Sequence, residues 1–252
     1  MSLRIFLNGC QGRMGRVIAD LVQENSELSI VAGSDLKAQP DPGYPVFTTA
    51  NDCDVDFDVI VDFSNPAALP PLMDLMRRTK KPTVVCTTGL SDEIKQQLDQ
   101  LSRQQAVFIS ANMSLGINIL INLAQKAASV LYPEFDIEII EAHHRQKLDA
   151  PSGTALMIAE GIRHTLAGQE LTYVYDRTQQ RVKRDSHEIG IHAIRGGTIV
   201  GEHTVLFAGG EETISIHHSA QSRNVFARGA LAAARFLAGK PAGRYEMKDL
   251  IG

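Results

Sequence analysis

The sequence holds no long apolar run, no surplus of basic charge and few cysteines, and each lack removes a class of protein. No stretch comes near the roughly 18 consecutive apolar residues of a membrane-spanning helix. No charged-then-apolar leader opens the chain, which is expected to enter its first strand directly. Lysine and arginine total 25 against 29 acidic residues, a formal net charge of -4. That balance leaves no basic footprint for nucleic acid. Cys10, Cys53 and Cys86 are scattered, with neither zinc-site nor disulfide-framework spacing, which points to a reducing cytosol. Internal repeats and low-complexity tracts are also missing. What is there is ordinary for a soluble globular protein: 252 residues, 44% hydrophobic and 21% charged, enough for one large domain or two small ones.

The first part alternates buried strands with helices. Leu3–Asn8 is an apolar strand ending in Gly9-Cys10-Gln11-Gly12-Arg13-Met14-Gly15, which opens a helix over Arg13–Gln23. Three glycines between a first strand and a first helix make a dinucleotide-binding turn: tight bend, close approach to pyrophosphate, close helix packing. A second strand, Leu28–Gly33, leads to Asp35, about 20 residues past the glycines, where an acid binds ribose hydroxyls and repels a 2′-phosphate. Residues 38–56 read as a loop. Asp58–Phe63, Pro82–Cys86 and Ala106–Ser110 are further strands, separated by helices from Pro66 to about Arg78 and over Asp92–Gln104, the latter capped by Ser91. This alternation specifies a parallel sheet covered on both faces. Thr87, Thr88 and Asn112 fall at strand carboxyl ends, where such sheets bind ligands.

Residues 138–155, EIIEAHHRQKLDAPSGTA, are the densest in chemistry. A strand over Asp136–Ala142 is followed by His143, His144, Arg145 and Lys147. Asp149-Ala-Pro-Ser-Gly-Thr154 then turns into a helix over Ala155–Leu166, with Ser152 or Thr154 as its cap. A helix start attracts anions, so proton donors stand beside a pocket suited to carboxylate or phosphate. A metal cluster of His143, His144, His217 and His218 lacks supporting carboxylate or cysteine spacing, and no metal site is expected.

Around this stretch, Gly116–Leu131 is a long apolar helix leading into a second domain. Gly168–Asp185 is polar, a loop or irregular strands. Ile189–Ile194, Thr198–Phe207 and Glu212–His218 are strands parted by Gly196-Gly197 and Gly209-Gly210, as hairpin turns would part them. A last helix, Val225–Leu237, returns to the first domain, and Gly239–Gly252 reads as a tail. The expected architecture is α/β: a parallel-sheet dinucleotide domain over 1–114 plus 224–252, and an inserted α+β domain over 115–223 on a mixed open sheet. Joints near Ser114 and Arg223 point to hinge closure.

These residues together resemble the 4-hydroxy-tetrahydrodipicolinate reductase family, also called dihydrodipicolinate reductases, of lysine and diaminopimelate synthesis. The resemblance covers the whole chain. It is carried by Gly9–Gly15, Glu141-Ala-His-His-Arg-Gln-Lys-Leu-Asp-Ala-Pro-Ser-Gly-Thr154, Thr87-Thr88-Gly89, Ala111-Asn112-Met113-Ser114 and Gly201-Glu202-His203-Thr204. It implies a Rossmann domain for NADH or NADPH, a substrate and tetramerisation domain, and a cytoplasmic homotetramer built through the C-terminal sheet. Gly9, Cys10, Gln11, Gly12, Arg13 and Met14 would cradle the pyrophosphate and Asp35 the adenosine ribose. Cys86, Thr87 and Thr88, with Ser110, Ala111, Asn112 and Met113, would line the nicotinamide side. His143 matches the family's proton donor and acceptor, and Lys147 its proton donor. His144, Gly153 and Thr154 would bind the substrate, a cyclic imine dicarboxylate.

The family pattern has Gly at the position of Cys86, often Phe at Met113, and in many relatives Arg at Leu36, where Lys37 could substitute. With Asp35 this leans toward NADH with NADPH tolerated. The alternatives are another NAD(P)-dependent amino- or imino-acid dehydrogenase on the same two-domain plan, which leaves HHRQK and DAPSGT unexplained, and a non-catalytic nucleotide sensor.

Overall fold

The computed structural model describes residues 2–36, 43–178 and 181–252. Lys37 and the prolines at 40 and 42 lie outside them.

In chain order the elements are β1 (Leu3–Asn8), α1 (Arg13–Gln23), β2 (Leu28–Ser34), β3 (Val46–Phe47), β4 (Val59–Asp62), α2 (Leu69–Thr79), β5 (Thr83–Val85), α3 (Asp92–Ser102) and β6 (Ala106–Ile109). Next come α4 (Leu115–Leu131), β7 (Asp136–His143), α5 (Gly153–Thr165), β8 (Thr172–Val174), β9 (Glu188–Arg195), β10 (Gly201–Ala208) and β11 (Thr213–Ala220). The chain ends with α6 (Asn224–Leu237), β12 (Gly243–Tyr245) and α7 (Met247–Ile251). Two compact units result, one of Met1–Leu115 with Arg223–Gly252, the other of Gly116–Ser222. Among the described residues no helix is long and apolar enough to cross a membrane.

The first unit is a parallel seven-stranded sheet in the order β12-β6-β5-β4-β1-β2-β3. Its strands bury both faces because successive side chains point opposite ways. Ile5, Leu7, Val59 and Val61 pack with Ile18 and Val22 of α1 and with the alanines of α6. Phe6 and Ile60 pack on the other side with Leu72, Met73 and Met76 of α2 and with Leu98 of α3. The small residues of α6 let it lie close to the sheet. A Cβ on Gly229 would overlap the carbonyl oxygen of Met113. The strand order reverses between β1 and β4, so β1 and β4 open a crevice at their carboxyl ends, where doubly wound sheets take ligands.

Two expectations are corrected here. Residues 239–252 are not a tail: Gly243–Tyr245 adds to the sheet edge, pairing in parallel with Ala106–Phe108. The loop expected over 38–56 contains β3, which pairs with Gly33 and Ser34. Both segments are two or three residues long, too short to show a period.

The second unit is a five-stranded mixed sheet, β11-β10-β7-β9-β8. Ile137, Ile139, Ile189, Val205 and Phe207 face Leu120 and Ala124 of α4 and Ile158 and Ile162 of α5. Gly209-Gly210 joins a true hairpin, β10 antiparallel to β11. Gly196-Gly197 does not. β9 runs parallel to β7 and β10 antiparallel to it, so β7 lies between them. The glycines carry the chain across the end of β7, where Gly196 N–H donates to His143 O (2.9 Å) and Arg145 N–H to Gly197 O (3.3 Å). Backbone pairing of β7 on both edges, earlier in sequence, excludes the local hairpin.

Candidate active site

In the first unit, β1 runs out into Gly9, whose φ of 78° belongs to the left-handed region. A Cβ there would stand 2.5 Å from the Phe63 carbonyl oxygen, and one on Gly15 would collide with the carbonyl oxygens of Gly9 and Cys10. Packing therefore accounts for the first and third glycines. Gly12 is exposed and stands at the N-cap of α1 with no side chain to cap it, so the helix start is bare. Beside it a cavity of about 360 Å³ is lined by Asn8, Gly9, Gly12, Asp35, Ser64 and Asn65 among others. Asp35 accepts the Gln11 N–H through Oδ2 (3.0 Å), which ties the acid to the glycine turn. A bare helix start for phosphate and a carboxylate for ribose are donor and acceptor sets that fit a dinucleotide. Arg13 is exposed and Met14 packs at the core's edge. Cys10 is buried, and burial, with Asp35 nearby, pushes its thiol up to about 11.

A carboxylate that the motif reading missed underlies this surface. Asp62 is fully buried at the end of β4 and accepts Asn8 Nδ2 (2.8 Å), Thr87 Oγ1 (2.7 Å) and Ser64 N–H (3.2 Å). Burial pushes its carboxyl up despite these donors. Through Asn8, which accepts Ser34 Oγ, the network joins the ends of β2, β1, β4 and β5. The available signal was an acid closing an otherwise apolar strand, DVIVDF, just before Ser64-Asn65-Pro66. Thr87 is thus engaged from below, while Thr88 is exposed. Ser110 accepts the Asn112 N–H (3.2 Å), and Asn112 Oδ1 accepts the Ser114 N–H (2.9 Å), a tight turn that leaves Ala111 exposed. Cys86 and Met113 are core residues in the cluster under α6.

In the second unit β7 extends one residue further than expected, so His143 is its last residue rather than the first beyond it. Period-two alternation continues the inward face from Ile137 and Ile139 to Glu141 and His143. Glu141 has no exposed surface, and Oε2 lies 2.6 Å from His143 Nδ1. Arg195 grips both oxygens, Nη1 to Oε2 (2.7 Å) and Nη2 to Oε1 (2.6 Å), and Ser152 N–H donates to Oε1 (2.9 Å). Burial alone would raise the Glu141 carboxyl, yet Arg195, His143 and Ser152 together hold it below the usual carboxylate range. An ionised Glu141 accepts only, so Nδ1 of His143 carries the hydrogen and Nε2 is left for chemistry. Among the described residues Nε2 has no hydrogen-bond partner. Burial lowers the imidazole pKa, Glu141 opposes the shift, and Lys147 and Arg195 add to it.

Lys147 reaches the Asp149 carboxylate at 2.9 Å. That carboxylate is held below its ordinary range first by Lys147. Ser152, not Thr154, caps α5, its Oγ accepting the Ala155 N–H (3.1 Å). Gly153 is the first helical residue, and a Cβ there would meet nothing within 4 Å. Packing does not require that glycine, and its lack of a side chain leaves the helix start open. Thr154 follows in the same turn, and His144 sits half-buried on the turn between His143 and Lys147. His203, buried on β10, stacks edge-on to His143 (centroids 5.2 Å apart) with Nε2 3.0 Å from Ser152 Oγ. Burial, and then His143, push its pKa down to about 3. The structure thus gathers His143, Lys147, Gly153 and Thr154 at one end of β7 and adds Glu141, Arg195 and His203.

A doubly wound sheet with a glycine turn at its switch point, joined in one chain to a unit that sets a carboxylate-held histidine beside a lysine, defines a nicotinamide-nucleotide oxidoreductase. The model of the dihydrodipicolinate reductase N-terminus matches residues 3–113, and that of the C-terminus matches residues 116–251. The chain belongs to the dihydrodipicolinate reductase family. It is 50% identical over 251 residues to a 4-hydroxy-tetrahydrodipicolinate reductase of Caldanaerobacter subterraneus subsp. tengcongensis, covering 100% of this chain and 99% of that one. Identity to the Clostridium botulinum (strain Eklund 17B / Type B) reductase is 47%, covering 99% and 98%. A dipicolinate-bound dihydrodipicolinate reductase from Paenisporosarcina sp. TG-14 superposes with a TM-score of 0.82 at 25% identity, covering 98% of each chain.

Proposed function

We propose that this chain catalyses the NAD(P)H-dependent reduction of (2S,4S)-4-hydroxy-2,3,4,5-tetrahydrodipicolinate to (S)-2,3,4,5-tetrahydrodipicolinate, a step of L-lysine synthesis through diaminopimelate. One hydride and one proton enter, and the 4-hydroxyl leaves as water. The observation that carries the reading is Lys147 Nζ, which already meets a carboxylate oxygen, that of Asp149, at 2.9 Å, in the turn that leads to the open start of α5. An ammonium that takes a carboxylate, followed by a helix start that attracts anions, supports a dicarboxylate site, and the substrate brings two carboxylates.

In this reading Lys147, Gly153 and Thr154 hold one substrate carboxylate, with His144 beside them. Their positive potential costs no reorganisation when charge develops on the ring. His143, oriented by Glu141, transfers a proton at Nε2, and Lys147 supplies a second donor. The dinucleotide, when bound, supplies the hydride. Gly9–Met14 and the start of α1 would hold its pyrophosphate, and Asp35 its adenosine ribose. Thr87, Thr88 and Ser110–Met113 would flank the nicotinamide. The Asp35 carboxylate repels a 2′-phosphate and Leu36 offers no cation beside it, so NADH is the preferred donor with NADPH tolerated. The face of the mixed sheet that bears the exposed Ile140 and Ile194 would pair with further copies in a cytoplasmic homotetramer.

The test is a coupled assay with freshly generated substrate, following oxidation of NADH and NADPH separately. The reading expects turnover with both and a higher kcat/KM for NADH. Asp35→Ser should lower the NADH-to-NADPH ratio about tenfold, roughly the loss of one charge-assisted hydrogen bond. Folded, cofactor-binding protein that oxidises neither would overturn the assignment.

A further inference from the structure

Arg195 takes no part in the proposed reaction itself, yet its guanidinium touches the partners of both proton carriers. It stands at the end of β9, paired in register with His143 at the end of β7. Nη1 and Nη2 hold the two oxygens of Glu141 as a fork, at 2.7 and 2.6 Å. Nη2 also donates to the backbone oxygen of Asp149 (2.7 Å), and Nη1 to that of Ile194 (2.7 Å). Glu141 is the residue that orients His143, and Asp149 is the residue that holds Lys147.

We infer that Arg195 is the positioning residue that sets His143 and Lys147 relative to one another, acting on the histidine through Glu141 and on the lysine through the Asp149 backbone. The inference rests on His143 and Lys147 being the proton carriers of the reductase. Only a planar fork meets both carboxylate oxygens and a third acceptor together; an ammonium carries the charge without that geometry. Misplacement of a reacting group by an ångström costs about 100-fold in rate.

The charged and titratable groups facing His143 are Glu141 on its own strand, Lys147 on the following turn, Arg195 on β9 and His203 on β10. Removal of Arg195 leaves the full charge of Glu141 to the imidazole and removes a repelling cation. The His143 titration must then move upward.

Three proteins are compared: the native chain, Arg195→Lys and Arg195→Met. Steady-state kinetics are recorded against pH, and the His143 ring nitrogens are followed by 15N NMR, assigned through their loss in His143→Gln. In the native chain His143 should show a single neutral tautomer with hydrogen on Nδ1; a mixture of both overturns the inference without any variant. Arg195→Lys should lose at least tenfold in kcat with KM for NADH unchanged. Arg195→Met should in addition shift the His143 titration and the matching limb of the kcat profile upward. Variants with native kcat and an unmoved His143 titration, whatever their melting temperature, would make Arg195 a structural brace only. A native chain without turnover, in which His143 still responds to Arg195, would instead remove the reductase reading and leave the positioning intact.

Discussion

Nδ1 of His143 lies 2.6 Å from Oε2 of Glu141, and Glu141 is wholly buried. The pair is two residues apart on one strand, so backbone alternation alone puts both side chains on the same face. What makes the contact chemical is the second layer, Arg195 and the Ser152 N–H, which keeps Glu141 ionised and unable to donate. His143 therefore presents Nε2 in one tautomer.

Replacement of that imidazole should stop proton transfer without harming the fold. His143→Gln is expected to lower kcat by roughly 100- to 10,000-fold, the usual contribution of a positioned acid or base. Calorimetric binding of NADH and of pyridine-2,6-dicarboxylate should persist. Lys147→Ala should lower kcat and weaken dicarboxylate binding together. Native turnover in His143→Gln would remove His143 from the reaction.

Substrate binding should recruit a proton. Burial holds the His143 pKa below 6.5, with Lys147 and Arg195 adding to the shift. A dicarboxylate placed against Lys147 offsets those cations and raises the imidazole pKa again. Between the two values the complex binds more protons than its parts, so affinity for pyridine-2,6-dicarboxylate should rise as pH falls below 6.5. Titration calorimetry just below pH 6.5 in two buffers of different ionisation enthalpy reads the uptake directly. Equal apparent enthalpies in the two buffers would mean that no proton is taken up.

Gly201 begins β10 beside Nε2 of His143. A Cβ at this position would stand 3.1 Å from His143 Nε2 and 3.4 Å from Cδ2. Gly201→Ala should therefore tilt the imidazole and lower kcat about tenfold or more, while NADH affinity stays native. An alanine variant with full kcat would show that the ring has room to move.

Acid stability should depend on His203. Its folded pKa is near 3 against an ordinary value of 6.5. Below pH 6.5 the unfolded chain protonates this histidine and the folded chain does not, so stability falls with pH by up to about 1.4 kcal/mol per unit. Denaturant unfolding at pH 7 and pH 5 should show His203→Gln losing about 2 kcal/mol less than the native chain over that interval. Equal losses would mean that His203 is protonated in the fold.

Much of the architecture could be read without coordinates because its signals are local. β1 and α1 begin and end where the apolar run and the glycine turn place them. β4, β5 and β6 are apolar runs bounded by turn residues. The site was half legible for the same reason: His143, Lys147, Gly153 and Thr154 lie within twelve residues of sequence. Short edge strands such as β3 and β12 escaped, since two or three residues carry no period. The pairing of β9 escaped too, because a glycine pair reads as a hairpin whether or not the flanking strands meet.

By itself the sequence determined the alternation of elements, the parallel sheet that follows from it, the glycine turn and the family. All of these rest on periods of two and 3.6 and on contiguous residues. Tertiary structure alone decided that β7 runs between β9 and β10. That decision brings Arg195 to Glu141 across 54 residues and His203 to Ser152 across 51. Such partners are chosen by strand order and register. These are set by which hydrophobic faces bury together over the whole unit, and no local spacing encodes them.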